Sequence, residues 1–321
     1  MSMILVILIL IFTLILIKSA EMTVVSLKKV AGRTGIIGLS AVVIALGTSF
    51  PEIFVSITSA VEERVSLSLG VALGSNIANI ALVGAGTALL LGRVHIAEKV
   101  VKKVVWISLA CGILPYLLLI DGNLNRIDGV ILLSVYIAYI LSFFRGYHQR
   151  ALEESESGIS FTRLIKRVGH FAENKWKSFA TIFVGIALML FSADTIVKFS
   201  NILADRLNIP IFVIGLFILA IGTSLPEFAF SLESLKDKEP EMFIGNLSGS
   251  IVANTTLVIG LSAIINPASS LNVGRYIVPG ITFVVTYLLF YYFIRTKKRL
   301  ERWEAAILVS IYILFFLLEL G

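Results

Sequence analysis

Ile44-Ala-Leu-Gly-Thr-Ser-Phe-Pro-Glu52 and Leu219-Ala-Ile-Gly-Thr-Ser-Leu-Pro-Glu227 are one nine-residue stretch written twice, at an offset of 175. The same offset carries Gly70-Val-Ala-Leu-Gly-Ser-Asn-Ile-Ala-Asn79 onto Gly245-Asn-Leu-Ser-Gly-Ser-Ile-Val-Ala-Asn254. Further out, Ser19-Ala-Glu21 returns as Ser192-Ala-Asp194 at an offset of 173, and Asp128, Ser134 and Tyr136 return as Glu304, Ser310 and Tyr312 at 176. Nearly the whole chain is therefore two copies of one unit.

The solvent of that unit follows from composition. The 321 residues are 57% hydrophobic and 15% charged, where a soluble domain carries about a quarter charged residues, and the mean hydropathy is +0.95. Apolar runs of about 20 residues, each long enough to cross a hydrocarbon core as a helix, recur throughout. They predict spans near 3–27, 35–61, 66–92, 103–120, 127–144, 176–200, 209–235, 241–265, 275–294 and 303–320. The first, from Met3 to Ile17, has no basic residue before it and no clear cleavage site after it, so it reads as a span and not a signal peptide. Five spans lie in residues 1–147 and five in 175–321, joined by a polar linker over 148–174. Because five is odd, the second unit enters the membrane from the opposite side. The expected fold is an all-α membrane protein of ten transmembrane helices, built as two inverted five-helix repeats with discontinuous helices at the midplane.

Charge gives the orientation. Of the 27 Lys and Arg, 21 fall in one alternating set of loops; Arg64, Arg126, Lys198, Arg206 and Arg275 fall in the other, and Lys18 lies inside the first span. The positive-inside rule makes the rich side cytoplasmic, which puts the linker inside and both termini outside a cell membrane. The linker, with Glu153, Glu154 and Glu156 before Arg163, Lys166 and Arg167, reads as a solvated connector. The formal charge of +6 is thus spent on topology: no nucleic acid is expected as a partner, no obligatory protein partner is inferred, and the bilayer lipid is the surrounding phase. Cys111 is the sole cysteine, so neither an internal disulfide nor a thiolate metal site is available. His95, His148 and His170 all fall in cytoplasmic loops, so no histidine relay crosses the membrane.

Two acids stand out against this background. A carboxylate at the bilayer centre costs about 2.5–3.5 kcal/mol on insertion scales, yet Glu52 and Glu227 lie mid-span in both copies. Pro51 and Pro226 cannot donate a backbone hydrogen bond, so carbonyls around Ala45 to Gly47 and Ala220 to Gly222 are expected to be freed as ligands. Thr48 and Thr223 precede the acids by four residues, and Ser75 with Asn79, like Ser250 with Asn254, share a helix face at the same spacing. The result is an all-oxygen cage with two negative charges, suited to hard cations such as calcium and sodium. Glycines in Gly70-x-x-x-Gly74 and Gly245-x-x-x-Gly249 are expected to let spans three and eight approach spans two and seven.

The paired GTSFPE/GSNIAN and GTSLPE/GSIVAN motifs closely resemble the two alpha-repeats of the sodium/calcium exchanger branch of the cation/calcium antiporter superfamily. The resemblance covers the chain apart from the linker and implies a secondary antiporter, not an enzyme, that needs no cofactor and transports Ca2+ and Na+. It implies four central sites, with calcium held by the carboxylates of Glu52 and Glu227 and the backbone carbonyls of Thr48 and Thr223. Asn79 and Asn254 would complete the middle. The sodium sites would draw on Ser49, Ser75, Ser224, Ser250 and the carbonyls of Ala45 and Ala220. Potassium-dependent relatives place aspartate where Asn254 stands, and calcium/proton exchangers usually show a Gly-Asn-x-x-Glu motif, so the pattern favours sodium without potassium. The short linker lacks the calcium-sensing domains of animal exchangers, which fits a minimal, prokaryotic-type member. A Ca2+/H+ antiporter of the same superfamily is the alternative, because two buried glutamates can also trade calcium for protons. An intramembrane hydrolase lacks any His-Glu-x-x-His or nucleophile–base pairing in the spans, and a passive channel fits a duplicated, inverted unit less well than alternation does.

Overall fold

Uninterrupted apolar stretches leave the backbone one inexpensive way to satisfy its own polar groups, and the chain takes it almost everywhere. The computed structural model describes residues 2–33, 47–92, 94–95, 98–157, 175–236, 239–297 and 299–320. Its long elements are α1 (Ser2–Arg33), α2 (Phe50–Val61), α3 (Val65–Ala78), α4 (Ala85–Leu91), α5 (Glu98–Leu118), α6 (Arg126–Ser157) and α7 (Lys175–Leu207). They continue with α8 (Ile211–Val213), α9 (Ala220–Thr223), α10 (Leu225–Lys236), α11 (Pro240–Val252), α12 (Ile259–Ile265), α13 (Gly274–Lys297) and α14 (Arg302–Leu320). Three π-helical turns interrupt the rods, at Asn79–Gly84 between α3 and α4, Ile214–Leu219 between α8 and α9, and Ala253–Val258 between α11 and α12.

Among the described residues, six helical stretches are long and apolar enough to cross a membrane: Ser2–Leu27, Val65–Leu91, Ser178–Leu207, Ile211–Lys236, Pro240–Ile265 and Gly274–Thr296. The other four expected spans fall on α2, on the shorter apolar stretch Val105–Asp121, on α6 and on α14. Three helices outrun their expected ends by six residues or more, α7 among them: it runs to Leu207 where its span is expected to end near 200. The first span was expected to stop near 27, yet α1 continues to Arg33; the fifth was expected to stop near 144, yet α6 runs to Ser157 through residues rich in Glu, Arg, Gln and Ala. Strong helix formers extend a helix beyond the bilayer wherever no breaker intervenes, so the first part of the expected connector is helical. Residues 158–174 lie outside the described residues.

The inner layer is α3 with its continuation, almost wholly buried, packed against α2, the α8–α9 segment and α12. Outside it, α1 and α7 run alongside each other and turn Leu14, Phe183 and Phe191 outward, as apolar side chains facing lipid can at no cost. Two small contacts tie opposite ends of the bundle. Leu124 bridges Ala268 at one end, and the two-residue strands β1 (Val94–His95) and β2 (Arg299–Leu300) pair antiparallel at the other. The repeated acids Asp128 and Glu304 have the same local task. Each folds back to the start of its helix, Asp128 accepting the Asn125 N–H at 2.8 Å and Glu304 the Glu301 N–H at 2.9 Å. This is helix capping, which satisfies donors that no helix turn can reach.

Candidate functional site

Both GTS-x-PE stretches break their helices at the same residue. Ser49 (φ −86°, ψ 4°) and Ser224 (φ −81°, ψ 1°) leave helical geometry just before α2 and α10. The proline two residues on lacks the N–H that would reach back four residues, which releases the carbonyls of Gly47 and Gly222. The Ala220 carbonyl, expected to be freed as well, is not: it accepts the Ser224 N–H at 3.1 Å. Any cation it holds must use its second lone pair. Ala45 lies outside the described residues.

Past each break, α2 and α10 aim Glu52 and Glu227 into the middle of the bundle, where both are 0% exposed. Ser49, Ser75, Asn79, Thr223, Ser224, Ser250 and Asn254 are all buried, and Thr48 is half-buried. Ser75 and Thr223 hydroxyls from opposite repeats stand 3.4 Å apart, and Ser250 donates to Glu227 Oε1 at 3.3 Å. These contacts bring Ser75 against Thr223 of the other copy and Ser250 against Glu227. Asn79 and Asn254 sit at the π-helical turns, the first opening Asn79–Gly84 and the second next to the start of Ala253–Val258; such turns are rare and concentrate at functional sites.

The polar atoms of this cage do not satisfy one another. Both Glu52 oxygens, Glu227 Oε2, Ser49 Oγ, Ser224 Oγ, both side-chain polar atoms of Asn79 and Asn254 Oδ1 are buried and find no hydrogen-bond partner among the described residues. The contacts that do form measure 3.3–3.4 Å, at the long limit of a hydrogen bond. Elsewhere, buried hydroxyls close to about 2.6 Å, as Ser68 and Ser262 do. Leaving so many buried acceptors unpaired is costly unless something else takes them. The atoms left over are mostly carboxylate, amide and hydroxyl oxygens, with the amide nitrogens Asn76 Nδ2 and Asn79 Nδ2 beside them. Carboxylate, amide and hydroxyl oxygens are the donors that suit a hard cation.

The expected partner of Gly70 and Gly74 was span two. Instead, a Cβ at Gly70 would lie 2.3 Å from the Phe212 carbonyl oxygen, and one at Gly74 would lie 2.2 Å from that of Leu216. Span three thus crosses the α8–α9 segment of the other copy, because inverted repeats interlock around their axis. Gly245 has nothing within 4 Å among the described residues, and Gly249 only the Tyr139 hydroxyl at 3.9 Å. Two further residues escaped the sequence reading. Asn76 accepts from Asn254 Nδ2 at 3.3 Å; Asn246 donates to the Glu227 carbonyl oxygen at 3.3 Å and accepts from the Thr48 hydroxyl at 3.4 Å. Their signal was an asymmetry between the copies: Asn76 corresponds to Ile251, and Asn246 to Val71.

Known proteins share this layout. The inner membrane protein YrbG of Escherichia coli is 32% identical over 234 residues, covering 72% of this chain and 70% of its own. The sodium/calcium exchanger MaX1 of Methanosarcina acetivorans is 26% identical and covers 94% of both chains. A solved structure of the sodium-calcium exchanger NCX_Mj, soaked with Na+ and Sr2+, superimposes with a TM-score of 0.59 at 26% identity, covering 98% of each chain. The sequence model of the family described as sodium/calcium exchanger protein matches residues 4–145 and 177–321, passing over only the linker between the copies. With both halves matched, this membrane protein belongs to the sodium/calcium exchanger family of antiporters.

Proposed function

We propose that this protein exchanges Ca2+ for Na+ across the cell membrane by alternating access between two inverted five-helix repeats, 1–147 and 175–321. The proposed topology has ten spans, both termini extracellular and the 148–174 linker cytoplasmic. It is supported by the ends of the bundle: the loops near Leu124 and Ala268, assigned to one side by charge, touch each other, and so do Val94–His95 and Arg299–Leu300, assigned to the other.

The observation that carries the reading is the pair of wholly buried carboxylates, one per repeat, with three of their four oxygens unpartnered. Two carboxylates in a site walled from water match the charge of one calcium ion, and without a cation their burial would be prohibitive. The same penalty couples the two fluxes. If the cage can close and reopen only when its charge is compensated, calcium leaving on one side must be replaced before the return step, and no net leak occurs. Glu52, Glu227 and the carbonyls of Thr48 and Thr223 are the proposed calcium ligands, with Asn79 and Asn254 completing the middle. Ser49, Ser75, Ser224, Ser250 and the carbonyls of Ala45 and Ala220 are the proposed sodium ligands. Their neutral oxygens exceed what calcium needs, can hold sodium, and cannot carry a proton at ordinary pH. The relative NCX_Mj has been solved after soaking with Na+ and Ca2+, which supports the same cargo here.

In proteoliposomes with pH clamped equal on both sides, an outward sodium gradient should drive labelled calcium inward, and replacing sodium by choline should stop it. Calcium uptake that follows a pH gradient and ignores sodium would assign the protein to Ca2+/H+ exchange instead.

A further inference from the structure

Asn254 can hold a cation only through Oδ1, because its amide group is a donor at Nδ2. An asparagine in a cation cage therefore needs its NH2 tied away from the site. At Asn254 that requirement is met: Nδ2 donates to Asn76 Oδ1 at 3.3 Å, while Asn254 Oδ1 is left without a partner among the described residues. Asn76 is 1% exposed and stands three residues before Asn79 on α3, so it reaches across from the other repeat. The second copy has no such device. Ile251 occupies the position that corresponds to Asn76, and Asn79 correspondingly has neither polar atom partnered.

We propose that Asn76 is a positioning residue that supports the cation-binding orientation of the Asn254 amide. It ligates nothing itself. Either orientation of the pair keeps one hydrogen bond between them, and Asn76 Nδ2 has no partner among the described residues. A cation on Asn254 Oδ1 turns the NH2 away from the cage, and Asn76 Oδ1 is the acceptor that takes it; only one of the two repeats contains this acceptor. The inference rests on Asn254 being a ligand.

The test measures sodium-driven calcium uptake into liposomes against calcium concentration. Asn76→Leu and Asn76→Ala both remove the acceptor and should raise the calcium concentration for half-maximal uptake about tenfold, the worth of one hydrogen bond to a partner that must otherwise reorient. Asn76→Asp keeps an acceptor for the Asn254 NH2 and should retain the affinity or tighten it. In an Asn254→Asp background no amide remains to be oriented, so Asn76→Ala should change the half-maximal concentration by less than about twofold. Equal losses in both backgrounds would mean that Asn76 acts only through packing and would overturn the proposal, as would an unchanged affinity in the single variants. If Asn254→Leu itself leaves calcium uptake intact, the ligand assignment fails first and the proposal falls with it.

Discussion

The crossing at Gly70 and Gly74 and the crossing at Gly245 and Gly249 are the same sequence feature in two copies, but only the first is described on both sides: residues 36–44, which correspond to the α8–α9 segment that Gly70 and Gly74 meet, lie outside the described residues. At the first, backbone meets backbone: Gly215 of α8–α9 in turn faces the Leu67 carbonyl, at 2.6 Å from where a Cβ would stand. At the second, Gly245 is exposed and Asn246 half-buried. Connectivity places the first crossing toward the end of the bundle that carries the Leu124–Ala268 bridge and the second toward the end that carries the β1–β2 pair. On the proposed topology the first crossing lies toward the extracellular end. The buried Ser68–Ser262 hydrogen bond, 2.6 Å long, reinforces that end.

The largest effect should fall where the two halves meet on equal terms. Glu52→Gln and Glu227→Gln each preserve size but remove one charge from the cage, and each should cut sodium-driven calcium uptake by about 100-fold or more while leaving the thermal transition of the purified protein in place. A double Gln variant that folds and transports normally would break the comparison at its root, because the carboxylates would then not be cargo ligands.

Substitution at the crossings should separate the halves. Gly70→Ala and Gly74→Ala drive a methyl into a carbonyl oxygen and should cost about 1–3 kcal/mol, read as a lowered melting temperature in detergent. A Cβ at Gly245 would meet nothing within 4 Å among the described residues, so Gly245→Ala should be neutral or gain up to about 1 kcal/mol of helix propensity. If Gly245→Ala destabilises as much as Gly70→Ala, a segment outside the described residues packs against Gly245 as α8–α9 packs against Gly70.

The smallest effect belongs to the hydroxyl pair. Ser262→Ala removes the buried 2.6 Å hydrogen bond with Ser68 and the 3.5 Å one to the Ser56 carbonyl, of which the shorter is worth about 1 kcal/mol. If that bond holds the extracellular end shut, its loss should improve the apparent affinity for calcium offered from that side by about fivefold or less, without changing affinity from the other side. Equal shifts on both sides would assign Ser68 and Ser262 to general packing.

Much of this molecule is readable along the chain because its strongest constraints are local or periodic. Apolar runs announce helices, since lipid offers the backbone no other partner. A Pro before Glu52 and again before Glu227 announces where those helices break. The acids themselves stand out because carbon-rich surroundings make them expensive. The capping by Asp128 and Glu304 was visible only as a recurrence, and its meaning came from the distances to Asn125 and Glu301. The reach of α6 to Ser157 was missed because hydropathy marks where a helix leaves the membrane and not where it ends.

The sequence by itself determined the two-copy plan, the membrane as solvent, the break at Ser49 and Ser224, and the oxygen-only character of the candidate site, all of them consequences of residue type and spacing. Only the tertiary structure decided that Gly70 faces the other copy, that Asn76 accepts from Asn254 and that Ala220 keeps its hydrogen bond. Those outcomes depend on which faces meet across the interlocked repeats. A duplicated sequence leaves that choice open wherever the two copies match, and the packed bundle settles it.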